Sequence, residues 1–219
     1  MRLKMYCSAA VAALCMLAAA PALATTQIAD GGFETQAAGT SNYCYFGGPT
    51  PGGAACAAGS WSGTAGMLDE TSPDWPGLTT TDGSKMGFVQ GLSYLETSIL
   101  ANDTGMFQLN WLEGGRPSGC CQGNQTYSLL LNGFSIGGGS TITGQPFTSK
   151  SSNMFSLVSG NTYTFRFEGL NAVGDNTSFI DHVNLSGAVP EPASWALMIL
   201  GFGGVGATIR SRRRQLAFA

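Results

Sequence analysis

The stretch Tyr127-Ser128-Leu129-Leu130-Leu131-Asn132-Gly133-Phe134-Ser135-Ile136 decides the fold class. Tyr127, Leu129 and Leu131 share one parity, the period of a half-buried strand. Asn132-Gly133 then interrupts two apolar runs, and both residues accept the positive φ of a type I′ turn. A β-hairpin is predicted here. Working outward, Phe107, Leu109 and Trp111 alternate with Gln108 and Asn110, and Tyr163, Phe165 and Phe167 alternate with Thr162, Thr164, Arg166 and Glu168. Further strands are predicted near Gln27–Phe33, Lys85–Val89, Tyr94–Leu100, Pro146–Val158 and Ser178–Leu185. Eight or nine short strands separated by turn residues, with no amphipathic helix between Thr25 and Val189, predict an all-β, antiparallel sandwich of the jelly-roll kind. Ala37 to Asp82 has little pattern. It reads as a long loop, and its aromatic content argues against disorder.

Charge narrows the partners. The 219 residues carry a formal −3, but six of the ten basic residues lie near the two ends. Between Thr25 and Val189 only Lys85, Arg116, Lys150 and Arg166 face twelve acids, so this part is near −8. Nucleic acid is excluded as a partner, because phosphate binding requires a basic patch. An acidic, Gly-rich β-protein suits an extracellular setting and divalent cations.

Both ends read as addresses. Residues 1–24 have the parts of a secretory signal: Arg2 and Lys4, an apolar run from Ala9 to Ala20, then Ala22-Leu23-Ala24 with small residues at Ala22 and Ala24. Cleavage is expected after Ala24. A domain is expected at 25–187. A transmembrane helix is expected at about 193–209, uncharged and followed by Arg210, Arg212, Arg213 and Arg214 on the cytoplasmic side, with 215–219 as the cytoplasmic end. Val189-Pro190-Glu191-Pro192, Trp195-Ala196, Gly201-Phe202-Gly203 and the arginine cluster resemble the PEPxxWA form of the PEP-CTERM sorting signal, here over 188–214. That resemblance implies an exosortase acting near Pro190, Glu191 and Pro192. It also implies an inner-membrane precursor and a final place at the cell surface or outside the cell.

A second resemblance lies in the domain. Asp30-Gly31-Gly32-Phe33-Glu34, Gly160 to Phe167, and Phe179-Ile180-Asp181-His182-Val183-Asn184-Leu185 are similar to the outer strands of jelly-roll carbohydrate-binding modules and galactose-binding-like domains. It implies a structural calcium held by Glu34 and Asp181. Strand parity alone places Asp181 with Phe179 and Val183 on a mostly apolar face. A buried carboxylate there needs Arg166, backbone N–H groups or a metal.

Trp75, Tyr45, Tyr43 and Trp61 form the candidate platform for extracellular polysaccharide, against the alternative that Trp61 and Trp75 are core. Four cysteines follow the signal. In an oxidising compartment they are expected to form two disulfides. The favoured pattern joins Cys44 and Cys56 each to one of Cys120 and Cys121, and a local Cys44–Cys56 bridge is the alternative. No catalytic motif stands out. His182 is the only histidine, and its strand parity separates it from Asp181. Asp69, Glu70, Asp74 and Asp103 offer carboxylates for glycoside hydrolysis. Three readings follow: a polysaccharide-binding module, a structural matrix protein without a small ligand, and a hydrolase.

Overall fold

A computed structural model describes residues 25–36, 42–48, 54–117, 123–188, 199–206 and 210. The signal segment, Cys120, Cys121, Pro190, Glu191, Pro192, Trp195 and Arg212 to Arg214 lie outside the described residues. So do parts of the 193–209 segment.

Among the described residues thirteen strands form two sheets. One sheet orders β10 (Thr148–Ser151), β7 (Gly105–Gly115), β13 (Thr177–Ala188), β5 (Lys85–Gln90), β4 (Gly66–Asp69), β1 (Tyr43–Tyr45) and β2 (Ala54–Ala55). The short β11 (Phe155–Leu157) also pairs with β7. The other sheet orders β3 (Ser62–Gly63), β6 (Tyr94–Leu100), β12 (Thr162–Gly169), β8 (Gln125–Leu131) and β9 (Phe134–Thr141). All pairs are antiparallel except β1 with β2. This is the all-β sandwich the alternation predicts. Asn132 (φ 48°) and Gly133 (φ 86°) make the expected turn between β8 and β9.

The main core lies between the sheets. Val89, Leu109, Trp111, Ile180 and Val183 from the first sheet meet Leu95, Ile99, Leu129, Phe165 and Phe167 from the second. Each such side chain contributes on the order of 1.5–3 kcal/mol on burial. A second cluster lies on the opposite face of the first sheet, where Leu68, Met86, Phe88 and Phe179 are covered by Tyr43, Trp75 and Leu78. The sheet's centre is thus buried on both faces. That explains the unbroken apolar run Met86-Gly87-Phe88-Val89.

Several expectations are corrected. Residues 27–33 are no strand: Asp30 (φ 53°) and Phe33 (φ 61°) turn the chain back, and Phe33 stacks on Trp61 at 4.7 Å. The 146–158 strand is split into β10 and β11. Between them Ser152 donates its N–H to the Leu109 carbonyl (2.9 Å), and Asn153 donates to that of Ile136 (2.7 Å). The 37–82 region is not one long loop, since it supplies β1 to β4. These strands of two to four residues are too short to show a period.

The disulfide joins Cys44 to Cys56. The parallel pairing of β1 with β2 aligns Cys44 with Ala54 and brings the two Cα atoms to 4.8 Å, so the local bridge replaces the favoured crosslink to Cys120 and Cys121. Among the described residues no helix is long and apolar enough to cross a membrane. Within the expected transmembrane segment, 199–206 is helical.

Candidate functional site

Three clusters carry candidate chemistry, and the sequence singled out two of them. The first lies at a bulge in β13. Register with β7 shifts between Asp181 and Asn184, and His182 has φ 49°. The extra residue swaps faces. Ile180 and Val183 both enter the inter-sheet core, whereas Asp181 turns to the side covered by the 70–82 segment. The parity reading that grouped Asp181 with Val183 is corrected. Gly31 accepts the Val183 N–H at 2.9 Å, and a Cβ at Gly31 would collide with the Val183 carbonyl. The N-terminal turn therefore docks on the bulge.

Asp181 is fully buried. Its carboxylate accepts the Thr80 hydroxyl and the His182 N–H (2.7 Å). Of the partners foreseen, the backbone N–H is present, while Arg166 is engaged elsewhere. Burial pushes the Asp181 carboxyl up to about 7, against the pull of those two hydrogen bonds, and the charges of Asp82 and Glu34 push the same way. Glu34 accepts the N–H groups of Ser84 (2.9 Å) and Lys85 (2.7 Å). His182 Nδ1 lies 2.7 Å from Asp82 Oδ2, a pairing that sequence parity could not show. Three carboxylates thus share one region, with Asp181 cut off from water. Carboxylate oxygens are the ligand type that calcium takes. Among the described residues, however, no three acidic, histidine or cysteine side chains form a ready-made metal cluster. A bound ion would have to draw its other ligands from the backbone.

The second cluster holds Trp75, Tyr43 and Tyr45 of the expected platform, while Trp61 lies apart in the main core. Trp61 is buried in the main core and donates its indole N–H to the Asp30 carbonyl (2.8 Å). Trp75 and Tyr43 are buried in the second cluster, and only Tyr45 is half-buried. Trp75 packs near Phe88 (5.3 Å) and Phe179 (5.7 Å), with the Arg116 guanidinium 4.1 Å over its ring. Arg116 is fixed by Asp175 at 2.6 Å, and Tyr45 donates to Gln90 (3.1 Å). Buried in this way, Trp61, Trp75 and Tyr43 pack as core residues, the alternative raised for the two tryptophans.

The third cluster is the outer face of the five-stranded sheet, which the sequence reading missed. Arg166 binds one oxygen of Glu96 through two nitrogens (2.9 and 2.7 Å) and lies 4.1 Å over the Tyr94 ring. Its guanidinium is held above its ordinary value by Glu96. A shallow groove of about 420 Å³ runs beside it, lined by Glu96, Leu130, Asn132, Gly133, Thr164 and Arg166. The clue in the sequence is the polar parity of β12, Thr162-Thr164-Arg166-Glu168, opposite its apolar one.

Two of the other candidate acids make local hydrogen bonds. Asp69 ends β4 and accepts the Thr71 hydroxyl (2.5 Å), which holds it below the usual carboxylate range. Asp103 accepts the Thr26 N–H (2.9 Å) in the turn between β6 and β7.

Residues 188–214 match the PEP-CTERM protein-sorting motif. No curated protein matches the chain. Among solved structures, a family 35 carbohydrate-binding module from Clostridium thermocellum is similar at 15% identity and a TM-score of 0.40, over 56% of this chain and 88% of that one. The CBM22-1 xylan-binding domain from Paenibacillus barcinonensis is similar at 9% identity and 0.42, over 75% and 96%. A GH26-CBM35 β-(1,4)-mannanase from Podospora anserina is similar at 21% identity and 0.39, over 57% of this chain and 26% of the enzyme.

Proposed function

We propose that this chain is an exported surface protein, anchored briefly in the inner membrane. An exosortase processes it through its tail, and its β-sandwich binds extracellular polysaccharide. The observation that carries the first half is the sorting motif at 188–214, which begins where β13 ends. The second half is supported by the outer face of the five-stranded sheet. It offers what a glycan needs: a hydroxyl (Thr164), an amide (Asn132) and a fixed ion pair (Arg166–Glu96) in an open groove, with Ser98 beside Thr164 and the Tyr94 ring under the Arg166 guanidinium. Calcium at Glu34 and Asp181 would relieve the buried charge and brace the β13 bulge. One observation favours a second reading, a matrix protein without a small ligand. Trp61, Trp75 and Tyr43 are buried and leave few aromatic faces for sugars.

The test has two readouts. Protein recovered from the producing strain is expected to start at Thr25 and end near Pro190–Pro192 by intact mass. In a strain lacking the exosortase it is expected to keep the tail. The processed protein is then measured against the host's own polysaccharide. The double variant Tyr94→Ala, Arg166→Ala should bind at least about tenfold more weakly, a loss of about 1.4 kcal/mol. Absence of binding by the native protein would leave the matrix reading. An unprocessed tail in both strains would sink the sorting reading.

A further inference from the structure

Every cation of the domain stands beside an acid. Between Thr25 and Val189 the basic residues are Lys85, Arg116, Lys150 and Arg166, and the parts of that range outside the described residues contain none. Arg116 is paired with Asp175 at 2.6 Å, and Lys150 with Glu113 at 3.1 Å. Lys85 lies opposite Asp69, whose carboxyl is held low by Thr71 and, to a lesser extent, by this ammonium. It also donates to the Glu34 carbonyl (2.8 Å). These three lie on or next to strands of the larger sheet, so Arg166, on β12, is the one basic residue of the five-stranded sheet.

On that sheet Arg166 is bracketed by glutamates. Its Nε and Nη2 bind Glu96 Oε2 (2.9 and 2.7 Å), and its Nη1 lies 3.9 Å from Glu168. The ladder fixes this arrangement. Arg166 pairs with Glu96 across from β6, and Glu168 follows two residues later on the same face. The five strands hold no other charged residue, so the face carries one positive group against two negative ones. Glu96 lines the groove, and among the described residues its second oxygen accepts no hydrogen bond. That oxygen can accept a sugar hydroxyl. To a sugar carboxylate or sulfate it presents a like charge at a half-buried position, and the guanidinium that would answer such an anion is already bound. The other polar groups of the groove are neutral. Thr164 offers a hydroxyl, and Asn132, whose amide oxygen accepts the Thr164 N–H (2.8 Å), keeps its NH2 to donate.

We propose that Glu96 sets the ligand class of this groove: by holding Arg166 it limits the groove to uncharged, hydroxyl-rich polysaccharide and turns away chains of uronic acids or sulfated sugars. This rests on the polysaccharide-binding reading above, whose substrate class it narrows. The excess of acids over the whole domain acts in the same direction at longer range. Contacts between neutral groups and sugar hydroxyls are insensitive to salt, whereas capture of an anion by a freed guanidinium is screened by it.

The test separates the host's own surface polysaccharide by anion exchange into uncharged and acidic fractions. Binding of each to the processed protein is followed by titration calorimetry, once with calcium and once with EDTA. The native protein is expected to bind the uncharged fraction with an affinity that does not change with salt, and the acidic fraction at least about tenfold more weakly. Glu96→Gln is expected to gain at least about tenfold for the acidic fraction at low salt. That gain should vanish at high salt, and also when Arg166→Ala is added. A gain of binding itself reports an intact fold, and the two fractions on the native protein decide the matter even if the variant fails to fold. Acidic binding by the native protein as tight as uncharged binding overturns the proposal, as does a Glu96→Gln protein that melts normally and gains nothing. Acidic binding that appears only with calcium overturns it too, since a bridging ion would then set the ligand class. If neither fraction binds in either condition, the polysaccharide-binding reading itself falls, and this proposal with it.

Discussion

Asp181 and Tyr127 are two polar residues whose surroundings the alternation pattern did not announce. Asp181 lies at a bulge, where one extra residue reverses the face of everything after it, and its neighbours Thr80, Asp82 and Glu34 come from distant parts of the chain. A cation that binds only the folded state stabilises it by about 2.7 kcal/mol at a hundredfold excess over Kd. Calcium is therefore expected to raise the melting temperature of the native protein and to leave Asp181→Asn unmoved, as read by calorimetry. No rise in the native protein would end the calcium proposal. Tyr127 is buried between the sheets, accepts the Trp111 indole N–H (2.7 Å) and donates to Glu113 (2.5 Å). Glu113 is also paired with Lys150 at 3.1 Å. Burial, with Glu113 beside it, drives the Tyr127 hydroxyl far above its usual range, so it remains a donor at any ordinary pH. Tyr127→Phe leaves Glu113 and Trp111 each short of a partner. It should cost about 1–3 kcal/mol in urea unfolding.

At the scale of elements, regular strands were legible and irregular ones were not. β7, β8 and β12 are long enough for a period of two to show, and the Asn-Gly turn announced its hairpin. β1 to β4 are too short for a pattern, and their pairing comes from partners elsewhere in the two sheets. The 27–33 segment turns where a strand is expected, and so brings Phe33 to Trp61 and Gly31 to Val183. The Cys44–Cys56 bridge closes a short loop across β1 and β2. For a loop of this size a disulfide contributes about 3 kcal/mol in the chain-entropy account. Cys44→Ser, Cys56→Ser is expected to lose about 2–3 kcal/mol by chemical denaturation, while native peptide mapping recovers the linked pair. Recovery of Cys44 joined to Cys120 or Cys121 would refute this pairing.

For the whole molecule, β13 is the strand that matters most, since it runs between β5 and β7 and supplies Phe179, Ile180 and Val183 to two clusters. The buried core of the described residues ends at Val183, before the sorting motif starts. A chain stopped at Ala188 should therefore keep the melting temperature of the full chain within error by circular dichroism. A chain stopped at Asn176 should not fold. If stopping at Ala188 also unfolds the sandwich, the tail has a structural role beyond sorting.

The amino-acid order by itself determined what depends on neighbours along the chain. That includes the sorting tail, the hairpin turn, the polar and apolar parities of the long strands, and the acidity of the domain. Each is a local pattern with a local physical cause. Tertiary structure decided what depends on residues far apart in the chain. The cysteine pairing followed from the parallel docking of β1 on β2. The burial of Trp61, Trp75 and Tyr43 followed from a sheet that needs covering on both faces. The polar groove at Arg166 arises only when β6, β8 and β12, from across the domain, are brought side by side.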